Sequence, residues 1–410
     1  MSISISNFDN GLTLIVEPMP HVQSAAYSLS IPVGIVSDLD SQIGSSLLLV
    51  EMTSRGAGKY SSRELSEAFE SLGVRHSEGA GLHISSFNGS LIAEKLEAAL
   101  ELVAMMVKEP HLNEDELENI RKLAIQDIQS LDDNPSRKVM VELNARFFPG
   151  PYGRSSMGTI DGLNSCNIES IKNSFEERFG PNGSILSVAG NVNVSEVERV
   201  AKRLFGGWIG KTRALPEFGS LPPMMEHHIE VDSAQLQIAL AYPSVALGSD
   251  GYYAARVLNG VLSGGMFGRL FIEVREKRGL CYSVYSSHAC TSLFGAVKAY
   301  AGTTPERAQE TLDVLVAELR NVKGTINDDE LARAKANMKS SLVMSEESSG
   351  SRAASNASDW YWLKKVRTLE EILASIDKVS SQDIDRHIEQ YPPAKMSLVT
   401  LGSKQLKFPN

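Results

Sequence analysis

Histidine, cysteine, basic charge and long apolar runs are all scarce in this 410-residue chain, and each shortage excludes a class of chemistry. There are eight histidines, and no two stand four residues apart. The chain therefore has no helix that presents two imidazoles on one face, the usual start of a zinc site. His227 and His228 are adjacent and are expected to point to opposite sides of a strand. The three cysteines, Cys166, Cys281 and Cys290, are odd in number and spaced for neither a zinc ribbon nor a CxxC pair, so they are read as reduced thiols. Forty Lys and Arg stand against fifty Asp and Glu, a formal net charge of -10. A chain without a positive surplus does not suit nucleic acid. No apolar run reaches the length of a membrane-spanning helix, and none is expected. The start, MSISISNFDNGLTLIVEPMP, has neither a basic segment nor a long apolar one. It predicts no signal peptide and a cytoplasmic location, although a processed precursor would leave the same record. The serine elbow GxSxG is missing. LNGVLSGGMFGRLF lacks both the P-loop lysine and the dinucleotide fingerprint, and reads as a turn between two helical pieces.

What the chain does have is an ordinary globular balance, 42% apolar and 22% charged, over a length that suggests two or more domains. It also has an internal repeat. LNEDEL at 112–117 matches INDDEL at 326–331, each at the start of a helical pattern. Asn113 with Glu116, and Asn327 with Glu330, have the spacing of a helix cap. An amphipathic helix precedes each copy, and a short apolar strand closed by glycine follows it, GSILSVAGNV in one half and KMSLVTLGS in the other. Between the halves lies IGKTRALPEFGSLPPMME, proline-rich and without periodicity, which reads as a linker. The pattern predicts a first domain over residues 1–208, a linker over 209–227 and a homologous second domain over 228–410. Strand runs mixed with helix pairs argue α+β, with helices on one face of a mostly antiparallel sheet.

Four segments carry a family resemblance: NGLTLIVEPMP, the helix around Gly44–Met52, LFGGW at 204–208 and SGGMFGRLFIEVREKRGLCYSVYSS at 263–287. They resemble the pitrilysin/insulysin zinc peptidases, in the branch of the mitochondrial processing peptidase and its bacterial relatives. The resemblance implies two duplicated α+β domains enclosing a peptide chamber. The family's zinc helix reads His-x-x-Glu-His before Met. Aligned on Met52, this chain has Leu47 for the first His, Val50 for the general base and Glu51 for the second His. The family's third ligand falls on Asp127, and its assisting acid on Ile120. No metal ligand set is expected here, since zinc wants nitrogen or sulfur donors and Glu51 with Asp127 offer at most a weak site for a hard cation.

The second half keeps the family's Arg and Tyr, seven residues apart in VREKRGLCYSVYS, as Arg275 and Tyr282. In active relatives this pair grips substrate carbonyls and helps to stabilise the developing oxyanion, a role suited to a permanent guanidinium and a phenol donor. The resemblance thus implies a non-catalytic subunit with no cofactor of its own. It would supply Arg275 and Tyr282 to a homologous partner that carries zinc on a His-x-x-Glu-His helix. The peptide substrate would add as an extra strand to an open sheet edge. A scaffold subunit, or a peptide-binding protein without chemistry, is the alternative.

Overall fold

A computed structural model describes residues 3–409. Its strands fall into two main sheets. The first holds β1 (Ser4–Asn7), β2 (Thr13–Pro18), β3 (Ser24–Ile31), β4 (Arg75–Ala80), β5 (Ser85–Ile92) and β6 (Ile185–Gly190), in the order β1-β2-β6-β3-β5-β4. The second holds β7 (Glu226–Glu230), β8 (Leu236–Ser244), β9 (Cys281–Cys290), β10 (Gly295–Thr303) and β11 (Ser397–Gly402), in the order β9-β10-β8-β11-β7. Read from β2 and from β7, the two orders match strand for strand. From those strands each order runs through one parallel pair, β2 with β6 or β7 with β11, and then three antiparallel pairs, with β1 added antiparallel to β2 in the first sheet. One topology occurring twice, in an α+β chain, is the expected duplication.

Ten helices matter below: α1 (Ser45–Thr53), α2 (Leu96–Lys108), α3 (Glu114–Gln129), α4 (Pro135–Phe147), α5 (Ile168–Arg178), α6 (Val194–Phe205), α7 (Tyr252–Ser263), α8 (Ala308–Arg320), α9 (Asp328–Glu346) and α10 (Ser349–Leu363). Local sequence explains their form. In α6 the Asn193 side chain accepts from the Glu196 amide, and Val197, Val200, Ala201 and Phe205 repeat at helical spacing to make the buried stripe. Asn327 and Glu330 form the reciprocal cap anticipated at the start of α9, with bonds of 2.9 and 3.1 Å. Asn113 does not cap α3 with its side chain; only its backbone carbonyl is engaged, by the Glu116 amide.

The chain packs as two compact units, and these are not its two halves. One comprises Met1–Ser130, Gly150–Glu217 and Ser345–Val366; the other comprises Leu131–Pro149, Phe218–Met344 and Arg367–Asn410. Helix α4, from the first half of the sequence, packs on β8 and β11 of the second sheet. Helix α10, from the second half, packs on β3 and β6 of the first. The stretch from Ile209 to Met225 has no regular structure.

This exchange explains the burial of β3. Its Tyr27, Leu29 and Ile31 face the helical core with Leu48, Leu100 and Val200. Ala26, on the opposite face, packs with Ala353 of α10. A strand covered on both sides reads as a continuous apolar run. In the second unit Leu236, Ile238, Leu240 and Tyr242 of β8 meet Val257, Val261, Leu312 and Leu315 of α7 and α8.

Candidate functional site

The first candidate is α1, the helix aligned with the family's zinc helix. A buried polar network seats its start. The Asp38 carboxylate accepts from the Gly44 amide at 2.8 Å, the Ser46 amide at 3.2 Å and the Ser46 hydroxyl at 2.5 Å. Arg178 of α5 completes it, donating to Asp38 at 3.1 Å and to Ser46 Oγ at 2.7 Å. A carboxylate on free helix amides is well placed against the positive end of the helix. Gly44 enters α1 at φ +113°, where a Cβ would come 2.7 Å from Leu163. The start of the helix is thus held by Asp38, Ser46 and Arg178.

The residues at its ligand positions do not fit zinc. Leu47 and Val50 have no donor atom, and Val50 is fully buried. Ile120 of α3 is in the core, while Asp127 is exposed further along the same helix. Among the described residues no group of three or more His, Cys, Asp and Glu is arranged to hold a metal. Glu51 instead meets Glu78, a residue of the edge strand β4 that the sequence did not single out. Burial, followed by repulsion from Glu78, raises the Glu51 pKa, and Arg55 opposes the rise. Burial pushes Glu78 up as well, but hydrogen bonding and charge from His76, with help from Ser54 and Arg55, bring it below the usual value. His76 Nδ1 lies 3.2 Å from Glu78 Oε2, and the hydrogen bond raises the histidine pKa. Its ring stacks on Phe69 at 4.2 Å. Glu51, which stands where the family's motif has its second His, thus lies in a small acid, imidazole and guanidinium cluster.

Arg275 and Tyr282 lie at the start of the edge strand β9 in the second unit. The glycine-rich stretch turns at the end of α7, as expected, and leads into a π-helical turn, Phe271–Glu276. Such turns are uncommon and concentrate at functional sites. Arg275 is exposed on it, its guanidinium 4.9 Å from the Phe271 ring centroid. Among the described residues that side chain has no ion pair, whereas Glu273 nearby is taken by Lys277 and Arg278. The chain then reverses through Gly279 at φ +60°, fixed by bonds of 3.0 Å from the Gly279 amide to Arg275 and from the Leu280 amide to Val274.

Tyr282 follows at a β-bulge. Cys281 opposes Thr303 and Ser283 opposes Gly302, which leaves Tyr282 as the extra residue. Bulges interrupt strand alternation and re-aim side chains. Tyr282 is 75% exposed, an unusual position for a phenol on a sheet. It borders an open cleft of about 600 Å³ that is also lined by Gly279, Thr303 and Arg307. Neither the π turn nor the bulge was visible in the sequence. Cys281 beside it is buried, and burial pushes its thiol up to about 11, which makes it inert. All three cysteines are free. His227 and His228 do diverge, to Arg146 Nη2 at 3.0 Å and to Thr400 Oγ1 at 2.8 Å.

Comparison with known proteins agrees with this layout. The profile of the Insulinase family (Peptidase family M16) matches residues 13–160, and that of the Peptidase M16 inactive domain matches residues 165–338. The chain belongs to peptidase family M16. It is 29% identical over 382 residues, 92% of each chain, to the zinc protease YmxG of Bacillus subtilis. It is 26% identical to the zinc protease SCO5738 of Streptomyces coelicolor, over 96% of this chain and 88% of that protein. In fold it is similar to a peptidase M16 inactive domain structure from Pseudomonas fluorescens, with a TM-score of 0.88 at 21% identity over 100% of both chains. A protease from Helicobacter pylori gives a TM-score of 0.89 at 20% identity, covering 98% of this chain and 99% of that one.

Proposed function

We propose that this chain is the non-catalytic subunit of a two-subunit zinc peptidase. It supplies Arg275 and Tyr282 to a homologous partner that carries zinc on a His-x-x-Glu-His helix. The observation that carries this reading is a contrast within one chain. The ligand positions of α1 hold Leu47, Val50 and Glu51, while Arg275 and Tyr282 are retained, exposed and held on well-defined backbone. A scaffold protein has no use for an exposed guanidinium without an ion partner beside an exposed phenol.

The chemistry follows from those two groups. Attack on a peptide carbonyl places negative charge on its oxygen, and donors fixed beforehand at that point lower the barrier. Arg275 is permanently charged and Tyr282 can donate through its hydroxyl. The peptide backbone would be held by an open sheet edge, with β4 a strand at the edge of the first sheet. Metal-bound water and the general base belong to the partner in this scheme.

Mixing is the test. This chain alone and the zinc-carrying homologue alone should each leave a fluorogenic peptide intact, and an equimolar mixture should cleave it. Full activity from the homologue by itself would defeat the proposal and leave the scaffold reading standing.

A further inference from the structure

Among the described residues, one cation on the second sheet meets no carboxylate. Lys298 stands in the middle of β10, opposite Ala241 of β8 and Ser287 of β9. Val297, Ala299 and Ala301 face the helical core, so alternation puts Lys298 and Tyr300 on the other face. The Lys298 ammonium donates to Asn144 Oδ1 at 3.1 Å and lies 5.8 Å from the Phe148 ring centroid. Among the described residues it forms no ion pair. The side chain is half-buried, and burial lowers its pKa.

A neutral amide and an aromatic ring leave a partly desolvated ammonium short of its charge requirement. The approach is from the β9 side, where Lys298 is only partly covered and Tyr285 is 39% exposed, whereas Ala239, Ala241 and Ala296 are fully buried. Tyr285 and Tyr300, paired across β9 and β10 with centroids 5.1 Å apart, form a wall beside it. The Tyr300 hydroxyl is committed to Gln237 Oε1 at 2.5 Å, which fixes the ring.

We propose that Lys298 is a receptor for a peptide carboxylate, with Tyr285 and Tyr300 as the adjoining wall. This rests on the proposed function only in taking the ligand to be a peptide. The geometry also gives a spacing. Ser283 opposes Gly302 and Ser287 opposes Lys298, so four strand residues separate the Tyr282 bulge from Lys298. At about 3.3 Å per residue that is about 13 Å, the reach of roughly four extended residues. A peptide whose carbonyl lies at Tyr282 would place a carboxylate about four residues away on Lys298.

The test uses the whole chain grown with 13Cε-lysine, the Lys298 resonance being assigned by its absence in Lys298→Arg. Three probes are compared: N-acetyl-trialanine, its C-terminal amide, and the amide with glutamate at the central position. The free acid, the glutamate peptide or both should shift the Lys298 resonance saturably, and bind at least about 10-fold more tightly than the neutral amide, as a charge-assisted bond requires. Which acid binds identifies the source as a chain terminus or a side chain. Lys298→Met should abolish the difference between acid and amide probes. If no carboxylate probe moves the resonance, or the neutral amide moves it equally, the proposal fails. No hydrolysis is involved, so this result stands or falls apart from the mixing experiment.

Discussion

At the scale of the residue, the site is defined by what each side chain can and cannot donate. Glu51 replaces an imidazole, and its carboxyl is kept above the usual range by burial and by Glu78. Its folded pKa is raised, so the folded state holds this proton more tightly than the unfolded state does. Stability from that proton is fully present below the ordinary carboxyl value of 4.5 and is lost as pH rises through the raised value. Glu51→Gln removes the ionisation. Urea unfolding of the variant should show greater stability than wild type at pH 7, and a smaller loss between pH 4 and pH 7. Equal curves for the two proteins would mean that Glu51 ionises at no cost. Leu47, Val50 and Glu51 could be read off the sequence because that motif spans five residues of one helix, whereas Ile120 and Asp127 rested on the resemblance alone. Glu78 could not be read there, since it comes from β4, and only the fold brings an edge strand against α1.

At the scale of the element, the repeat was legible, and the exchange of α4 and α10 was not. Helical periodicity shows that a helix has an apolar face but not which sheet will cover it. Helix α10 is seated by apolar contacts through Ala353 and Ala357 and by a buried polar cluster. Arg352 is 3% exposed and pairs with Glu17 of β2 at 2.8 Å and with Glu346, while Asn356 donates to Glu17 at 2.7 Å. Removing one partner of such a group strands the others as buried charges. Arg352→Met should destabilise the protein by about 3–5 kcal/mol, seen as a lower urea midpoint. Adding Glu17→Gln and Glu346→Gln should restore most of the loss. An Arg352→Met protein as stable as wild type would show that the pairing contributes nothing to holding α10. The bulge at Tyr282 escaped the sequence for a related reason: one extra residue in a strand shows only in the register with its neighbour.

At the scale of the whole molecule, two copies of one topology have diverged in role. The first has Leu47, Val50 and Glu51 at the positions of the family's zinc motif, and the second carries Arg275 and Tyr282, the pair proposed to meet substrate. The exchanged helices have a consequence for cleavage of the linker. Ile209, 88% exposed, opens a stretch without regular structure, where proteases cut readily. Limited proteolysis should nick the chain between Ile209 and Met225. The fragments should still elute together under native conditions, because α4 of the first packs on the sheet of the second, and α10 of the second on that of the first. Separation without denaturant would contradict the exchange.

The central claim is that Arg275 and Tyr282 act on a bond cleaved by another chain's zinc, and turnover by the assembled pair measures it. Tyr282→Phe keeps the ring and removes only the hydroxyl, so packing is preserved. Arg275→Ala removes a guanidinium that no carboxylate holds among the described residues. Each should lower turnover of the mixture by about 10²–10³-fold, with its zinc content and its assembly unchanged. Turnover equal to wild type in both variants would contradict the account.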